Sequence, residues 1–338
     1  MCGCFPKLVH LAKTTPTLIF EAFQQFDTDV KRGLSSCIAN CITDSAWHQA
    51  QISLSRGGLG LLSLSKLSCV AFIAAFCSSG FAASENSHLI QAVARFNGLV
   101  PPSNATTVTS LVASPPSQRS LSVKLDHFDF QILFDQSLLA DKARLLSVSV
   151  PHAASWLSVI PSVGLGDAVL RHNKLRDILV ESFHLAHIHV QVEAGSGLSY
   201  DRSHSRPTDI LVFDWDHGKP SALDLSVISP LNANILNEAG MTAGAAAQAA
   251  KVRKHTANDQ KCTELGWSCV PLAVESYGAW GKEAQEFFAL LASRLAVHTS
   301  SNKSKMTFEL YSQLNLSLTR LIARAIISRS FSLADFVA

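Results

Sequence analysis

The sequence is poor in charge. Charged residues make up 16% of its 338 residues, below the roughly 25% of an average soluble protein, whereas 47% of the residues are hydrophobic. This balance excludes general disorder, and the length allows two domains with cores of their own. The net charge of +2 gives no overall attraction to nucleic acid, so a DNA or RNA partner would require a local basic patch.

Paired cysteines of the zinc-binding kind are also missing. The chain has eight cysteines, but none of them forms a C-x-x-C pair, and six fall in the first quarter of the chain. His184, His187 and His189 are close together, yet no cysteine pair completes a zinc set with them. We therefore expect reduced thiols in an intracellular protein, nuclear or cytoplasmic.

A clear signal peptide or membrane span is not evident. The first residues lack a continuous apolar core. The stretch LSCVAFIAAFCSSGFAAS, residues 67–84, carries no charge over 18 residues, which is the threshold length for a span. Serine and glycine dilute it and no basic flank follows. We predict a buried helix here and no membrane partner, with a membrane-associated protein as the weaker alternative.

The chain divides by composition into five regions. Residues 1–96 have helical apolar spacing, 97–120 form a linker rich in Pro, Ser and Thr, and 121–166 resume the helical pattern. Residues 167–300 alternate helical and strand patterns, and 301–338 hold a final amphipathic helix. The first part is thus predicted to be mostly helical and the second to be α/β.

The α/β region begins with an amphipathic helix, AVLRHNKLRDILVESFHLA, followed by three short strands. An Ala-rich helix from about Glu238 to His255, the strand WSCVPLAVE and the helix GKEAQEFFALLASRLAVH complete it. The order α-β-β-β-α-β-α predicts an α/β domain with a central mixed sheet. The apolar face of the first helix comprises Val169, Leu175, Ile178, Leu179 and Phe183.

Two acids stand inside apolar strands of the stretch RPTDILVFDWDHGKPSALDLSV, residues 206–227. A hairpin turn centred between Asp216 and His217 would place Asp209 opposite Asp224, with Cβ atoms about 5 Å apart. Opposed like charges destabilise a sheet unless a cation bridges them, and Mg²⁺ or Mn²⁺ prefers carboxylate ligands. A one-residue slip would separate the acids onto opposite faces, so solvated acids in a hairpin are the alternative.

The Ala-rich helix adds basic residues. Gln248, Lys251 and His255 share one helical face, and Lys254 lies beside them. A lysine next to a metal-bound phosphate stabilises developing negative charge. The alternative is that these residues form a solvated basic helix end, which the helix dipole stabilises.

The combination of RPTD, DLSV and KVRKH, after RHNKLRD on a helix, resembles the restriction-like endonuclease domain of site-specific retrotransposons lacking long terminal repeats. That domain belongs to the PD-(D/E)xK nuclease superfamily, whose core is α-β-β-β-α-β. The resemblance implies that Asp209 and Asp224 bind Mg²⁺ or Mn²⁺, and that Lys251 or Lys254 is a catalytic lysine moved from the third strand to the next helix. The chain departs from the motif at Thr208, inserted between Pro and Asp, and at Ser226, which occupies the usual lysine position.

Upstream, FDTDVKRGLSSC and WHQAQISLSRGGLGL, residues 26–61, resemble the thumb and connection that follow the polymerase palm in such elements. No Y/F-x-D-D cluster is present, so no polymerase activity is expected. The Cys/His knuckle of these elements is missing between Gly166 and Asp167. The resemblance therefore implies a truncated part or a descendant of a retroelement polyprotein.

Two functions follow as hypotheses. The first is a metal-dependent DNA endonuclease, in which Glu181 or Glu193 would complete the metal ligands; the alternative is that each is only a surface acid. The second is a catalytically inactive relic that binds DNA or protein. In the first case, DNA would contact a local basic set: Arg171, His172, Lys174, Arg176, Arg202, Arg206, Arg253 and Lys254.

Overall fold

The computed structural model describes residues 5–14, 20–38, 40–79, 86–154, 168–192, 208–216 and 218–334. The chain forms two compact units, Met1–Ser137 and Leu138–Ala338. The first described unit is helical, and the second combines helices with a four-stranded mixed sheet. The predicted α/β class is therefore confirmed. Within the described residues, no helix has both the length and the apolarity needed to cross a membrane.

The described residues of the first unit form helices and two short 3-10 turns. Its α-helices are α1 (Phe5–Thr14), α2 (Phe20–Cys37), α3 (Asp44–Gln51), α4 (Leu64–Ser78), α5 (Ser87–Leu99), α6 (Val108–Ala113) and α7 (Gln118–Gln136). Helix α4 is mostly apolar, and its residues Leu67 to Ala74 are buried between neighbouring helices, as the apolar part of a helix must be in water. The predicted buried helix is thus confirmed over its described part.

The segment 97–120, which we expected to be a linker, lies inside the first unit. Asn97 holds the chain after α5 by two hydrogen bonds with the backbone of Thr106. Thr107 and Ser110 form a capping box at the start of α6, and Leu111 is buried in the core. The linker prediction was wrong because Ser and Thr, common in linkers, serve here as helix caps. The compact units divide instead after Ser137.

One carboxylate fixes the start of the buried helix α4. Asp27 on α2 accepts hydrogen bonds from the backbone N–H groups of Leu64, at 2.7 Å, and Ser65, at 3.1 Å. It also accepts from the hydroxyls of Ser63 and Ser65. The first N–H groups of a helix have no partner within it, so Asp27 satisfies donors that would otherwise be left in a largely buried position.

Replacing Asp27 by Ala should lower the free energy of unfolding by about 1–2 kcal/mol, because a charge-assisted helix cap is lost. Urea unfolding and hydrogen exchange at the start of α4 measure this effect. Asp29→Ala is the matched control, since Asp29 lies on the same helix in an exposed pair with Arg32 and should change the stability by less than about 0.5 kcal/mol. Equal effects of the two substitutions would contradict the assignment.

The second unit begins with two helices, α8 (Leu139–Val148) and α9 (Ala168–Leu185). Its strands are β1 (Val190–Val192), β2 (Ile210–Asp216), β3 (Lys219–Ile228) and β4 (Ser268–Glu275). Its remaining helices are α10 (Leu236–Ala239), α11 (Ala245–Glu264), α12 (Lys282–His298) and α13 (Lys303–Ala334). The predicted order is confirmed, except that the short helix α10 precedes the Ala-rich helix, which begins later and extends further than expected.

The sheet has the strand order β1-β2-β3-β4. The pairs β1–β2 and β2–β3 are antiparallel, and β3–β4 is parallel. A parallel pair requires a crossover connection, which α10 and α11 supply. This arrangement places α11 along the sheet, where it contacts β3 and β4.

The two faces of the sheet pack against different helices. Ile210, Val212, Leu223 and Leu225 join the main core with α9, α12 and α13. Leu211 and Ala222, which alternate with them, pack against Cys262 of α11. The predicted apolar face of α9 is confirmed for Leu175, Ile178, Leu179 and Phe183, which are all buried in the main core; the side chain of Val169 lies outside the described residues.

Candidate active site

The register of β2 and β3 brings the two acids together. Ile210 pairs with Leu223, Leu211 with Ala222 and Val212 with Ser221, which is the register that we predicted from the sequence. The regular ladder ends at Ile210, so Asp209 lies one residue before it and beside Asp224. The two carboxylates are close enough for the charge of Asp209 to raise the pKa of Asp224.

The turn of this hairpin differs from the prediction. Asp216 pairs with Lys219, so the turn is centred one residue later than expected. A register shift between Val212 and Asp216 absorbs the difference, and Asp214 within it has a positive φ of 53°. The predicted turn position was wrong because a β-bulge, which adds residues to one strand, leaves no periodic signal in an otherwise apolar run.

Asp209 is held from two sides. Its Oδ2 atom accepts a hydrogen bond of 2.7 Å from the backbone N–H of Leu225 and lies 3.0 Å from Nε2 of His172 on α9. Burial raises the pKa of Asp209, but the hydrogen bonds from His172 and Leu225 and the charge of Lys254 outweigh it and lower the pKa below its ordinary value. Asp209 is therefore ionised at neutral pH, and its Oδ1 atom has no hydrogen-bond partner among the described residues.

Asp224 is the more buried acid and is paired with α11. Its Oδ1 accepts from Nζ of Lys254 at 2.6 Å, and its Oδ2 accepts from Nδ2 of Asn258 at 2.7 Å. Burial raises the pKa of Asp224 above its ordinary value, and the neighbouring charge of Asp209 adds to this, although the Lys254 ammonium opposes it. The two acids thus have pKa values pushed in opposite directions, as in many acid–base sites.

The two candidate lysines point to different acids. Lys254 and Asn258, four residues apart, face Asp224, whereas Lys251 lies 3.0 Å from Oε2 of Glu283 on α12. His255 contacts the same oxygen of Glu283 at 3.1 Å. The predicted common face of Lys251 and His255 therefore exists, but it turns toward Glu283. Of the two, Lys254 is the lysine that the structure places at the acid pair.

A third carboxylate, that of Glu275, fixes the start of α11. Glu275, at the end of β4, is only 1% exposed. Its Oε1 accepts hydrogen bonds from the backbone N–H groups of Ala246, at 2.9 Å, and Ala247, at 3.3 Å. Burial raises the pKa of Glu275, while these N–H groups oppose the rise. Because β4 holds the start of α11, the helix position that directs Lys254 at Asp224 is set by the sheet.

The residues that we expected to bind DNA differ in how exposed they are to solvent. Lys174 on α9 and Arg253 on α11 are exposed. Arg171 is half-buried, and its Nε has no hydrogen-bond partner within the described part of the chain. Arg206 lies outside the described residues. Among the expected DNA-binding residues that the structure describes, Lys174 and Arg253 are therefore the exposed cations on the helices that flank the acid pair.

Of the two expected additional metal ligands, the one that the structure describes is not brought to the acids. Glu181 is exposed and lies nine residues after His172 on α9, which places it on the opposite side of that helix. Glu193 lies outside the described residues. Ser226, at the usual lysine position, has a buried hydroxyl without a partner among the residues described.

Two contacts of the site were not predicted from the sequence. His172 was grouped with the DNA-binding residues, and no spacing links it to Asp209, which follows 37 residues later. Asn258 was overlooked, although it follows Lys254 by four residues and so shares its helical face. A search for polar residues spaced by four around each candidate lysine would have found it.

No protein-family model fits the sequence, and no curated protein is significantly similar to it. The site therefore has to be interpreted from its own geometry.

The pKa of His172 lies above its ordinary value because it hydrogen-bonds Asp209, although burial opposes the rise. We expect Asp209→Asn, which keeps an acceptor for the Leu225 N–H, to lower the titration midpoint of His172 in an NMR pH titration. A raised histidine pKa stabilises the fold below about pH 6.5, the unfolded value, and this contribution is lost as the pH rises through the raised pKa.

Asp177→Asn is the control for that titration, because Asp177 lies on the same helix, is exposed and pairs with Arg176. It should leave the His172 midpoint close to that of the wild type. If Asp209→Asn does not move the His172 midpoint, the ion pair at the acid site is not formed in solution.

Proposed function

We propose that the second unit is a metal-dependent nuclease that hydrolyses a phosphodiester bond of DNA. The observation that carries the proposal is the grouping of Asp209, Asp224 and Lys254 on adjoining strands and a flanking helix. Two carboxylates and a lysine at one place form the minimal set for this chemistry, since the acids hold a divalent cation and the lysine offsets phosphate charge.

The donor set fits a hard divalent cation such as Mg²⁺ or Mn²⁺. These ions take oxygen ligands and are commonly held by one or two carboxylates. Asp209 is ionised and presents an oxygen with no partner among the described residues, and Asp224 adjoins it. When bound, the cation would supply Lewis-acid activation of water and of the phosphate.

The protein side chains have separate tasks in this proposal. His172 and the Leu225 N–H fix the orientation of Asp209 through one oxygen, which leaves the other for a ligand. Asn258 fixes Asp224. Lys254 offsets the negative charge of the two acids when no substrate is bound. Its side chain would then move from Asp224 to a phosphate oxygen and hydrogen-bond that oxygen as negative charge develops there.

We propose further that the second unit has a PD-(D/E)xK nuclease core and derives from the endonuclease domain of a retroelement polyprotein. The α-β-β-β-α-β order, with two antiparallel pairs followed by a parallel one, supports this proposal. In such a core, Lys254 would take the place of the lysine that is absent at position 226, where this chain has Ser226. The thumb-like interpretation of the first unit stays a prediction.

The nuclease proposal predicts Mg²⁺- or Mn²⁺-dependent nicking of supercoiled plasmid by the full-length protein. Asp209→Asn and Asp224→Asn should reduce the rate by at least about 10²-fold, because each removes a carboxylate ligand of the cation. Lys254→Met should have an effect of similar size, since it removes the charge placed at the acids. Agarose gel electrophoresis of timed samples measures the rates.

The matched control is Lys251→Met, because Lys251 is on the same helix but pairs with Glu283. It should retain most of the activity. The nuclease proposal fails if the wild type does not cleave, or if the acid variants cleave as fast as the wild type. Equal losses in the two lysine variants would remove the specific role of Lys254.

A second candidate is a DNA-binding module without catalysis. The observation that favours it is that both oxygens of Asp224 already have protein donors, and that the usual lysine position holds Ser226. In this case the acid–lysine cluster stabilises the fold, and the exposed cations of α9 and α11 contact phosphates.

The binding candidate predicts a salt dependence that the exposed cations determine. Lys174→Gln and Arg253→Gln should each reduce the slope of log K against log salt by about 1, because each removes one phosphate contact. Fluorescence anisotropy with a labelled duplex measures this slope. Lys305→Gln, an exposed cation on α13, should leave the slope unchanged; equal effects of all three variants would exclude a defined surface on α9 and α11.

A further inference from the structure

A second cluster of chemically reactive side chains lies where α11 meets β4, apart from the acid pair. His255, Asp259 and Cys269 each offer a ligand atom, and these three atoms lie within 4.8 Å of one another. In a tetrahedral zinc site, ligand atoms are about 3.3–3.8 Å apart, given bonds of about 2.0–2.3 Å. Side-chain movements that displace these atoms by about 1 Å would therefore bring all three to coordinating distance of one ion.

A fourth donor, Cys262, adjoins one of the three, Cys269. Cys262 follows His255 by seven residues and Asp259 by three, so all three lie on one face of α11. The Cys262 thiol lies next to the Cys269 thiol, and the Cys269 sulfur lies within 4.8 Å of a carboxylate oxygen of Asp259. The sequence spacing H-x3-D-x2-C, followed by a cysteine on the next strand, indicates this set, which the C-x-x-C pattern does not include.

The histidine is already oriented as a metal ligand. Its Nδ1 lies 2.8 Å from Oδ1 of Asp259, and its Nε2 lies 3.1 Å from Oε2 of Glu283. Histidines that bind metals commonly donate their second ring N–H to a carboxylate, which fixes the ring. Without a cation, both ring nitrogens must carry protons to bond the two acids. A cation at Nδ1 would replace one of those protons.

The surroundings suit a cation that binds nitrogen and sulfur. Cys262 is 1% exposed and packs with Trp267 and Phe213, so the inner side of the cluster is dry. Asp259 is exposed and leaves an entry path from solvent.

We propose that His255 Nδ1, Asp259, Cys269 and Cys262 bind one divalent cation of the zinc class. The mixed nitrogen, oxygen and sulfur set favours Zn²⁺ over Mg²⁺.

The bound ion joins the second half of α11 to the first residues of β4, while Glu275 joins the start of α11 to the end of β4. The ligands His255 and Asp259 each follow directly after a partner of Asp224, so the ion also fixes the rotation of α11 that directs Lys254 and Asn258. The site stands independently of nuclease activity.

The test uses full-length protein, reduced and freed of metal with a chelator, and titrated with Co²⁺ as a spectroscopic probe for Zn²⁺. We expect one ion per chain, thiolate-to-cobalt charge-transfer absorption, and displacement of Co²⁺ by Zn²⁺ but not by Mg²⁺. Cys269→Ser should abolish that absorption, and Cys262→Ser should reduce it. Glu283→Gln, which changes no ligand, should weaken binding by about 10–100-fold.

Cys41→Ser is the control, because Cys41 is an exposed free thiol of the first unit and should leave the titration unchanged. Circular dichroism confirms that each variant folds. Loss of absorption in Cys41→Ser but not in Cys269→Ser would overturn the proposal, as would absence of a thiolate band in the wild type. A Cys262–Cys269 disulfide that persists in the reduced preparation would also overturn it, whereas an unchanged band in Cys262→Ser would remove the fourth donor.

Discussion

The second unit depends on how it accommodates two carboxylates side by side at the end of a β-hairpin. Placed next to each other, Asp209 and Asp224 repel, and partial burial strengthens that repulsion by lowering the local dielectric. Lys254 and His172 compensate for it, one from each helix that flanks the hairpin. Because removing one partner would leave an unpaired, partly buried charge, the positions of both helices are tied to the acids.

Helix α11 is positioned by interactions along its whole length. Glu275 caps its first N–H groups, Lys254 and Asn258 bind Asp224 near its middle, and Cys262 packs into the apolar cluster beneath its last turns. Each anchor joins the helix to β3 or β4, which are paired in parallel. A rotation of the helix would break all of them at once, so the direction of Lys254 is fixed more firmly than a single ion pair could fix it.

Sequence reasoning predicted the features that repeat and missed those that do not. Apolar alternation set the register that brings Asp209 to Asp224, and helical spacing predicted α9, α11 and α12. The hairpin turn was misplaced by one residue because a bulge has no period. The linker at 97–120 was wrong because Ser and Thr were read by composition, while their hydroxyls act as caps. The pairing of His172 with Asp209 joins distant parts of the chain, and only the tertiary fold determines it.

The same contacts bear on both proposed functions of the acid pair. A lysine bound to a carboxylate at 2.6 Å is a stable arrangement that needs no cation, which is what a structural cluster requires. It is also the arrangement that an empty catalytic centre would adopt, because two adjacent acids without a cation need a positive charge. The two functions therefore differ in whether a cation can replace Lys254. A cation that binds Asp209 and Asp224 must displace Lys254 from Asp224, and Lys254 would then contact the phosphate. Asp209, with one oxygen fixed by Leu225 and His172 and the other without a described partner, is the side of the pair at which that exchange can begin.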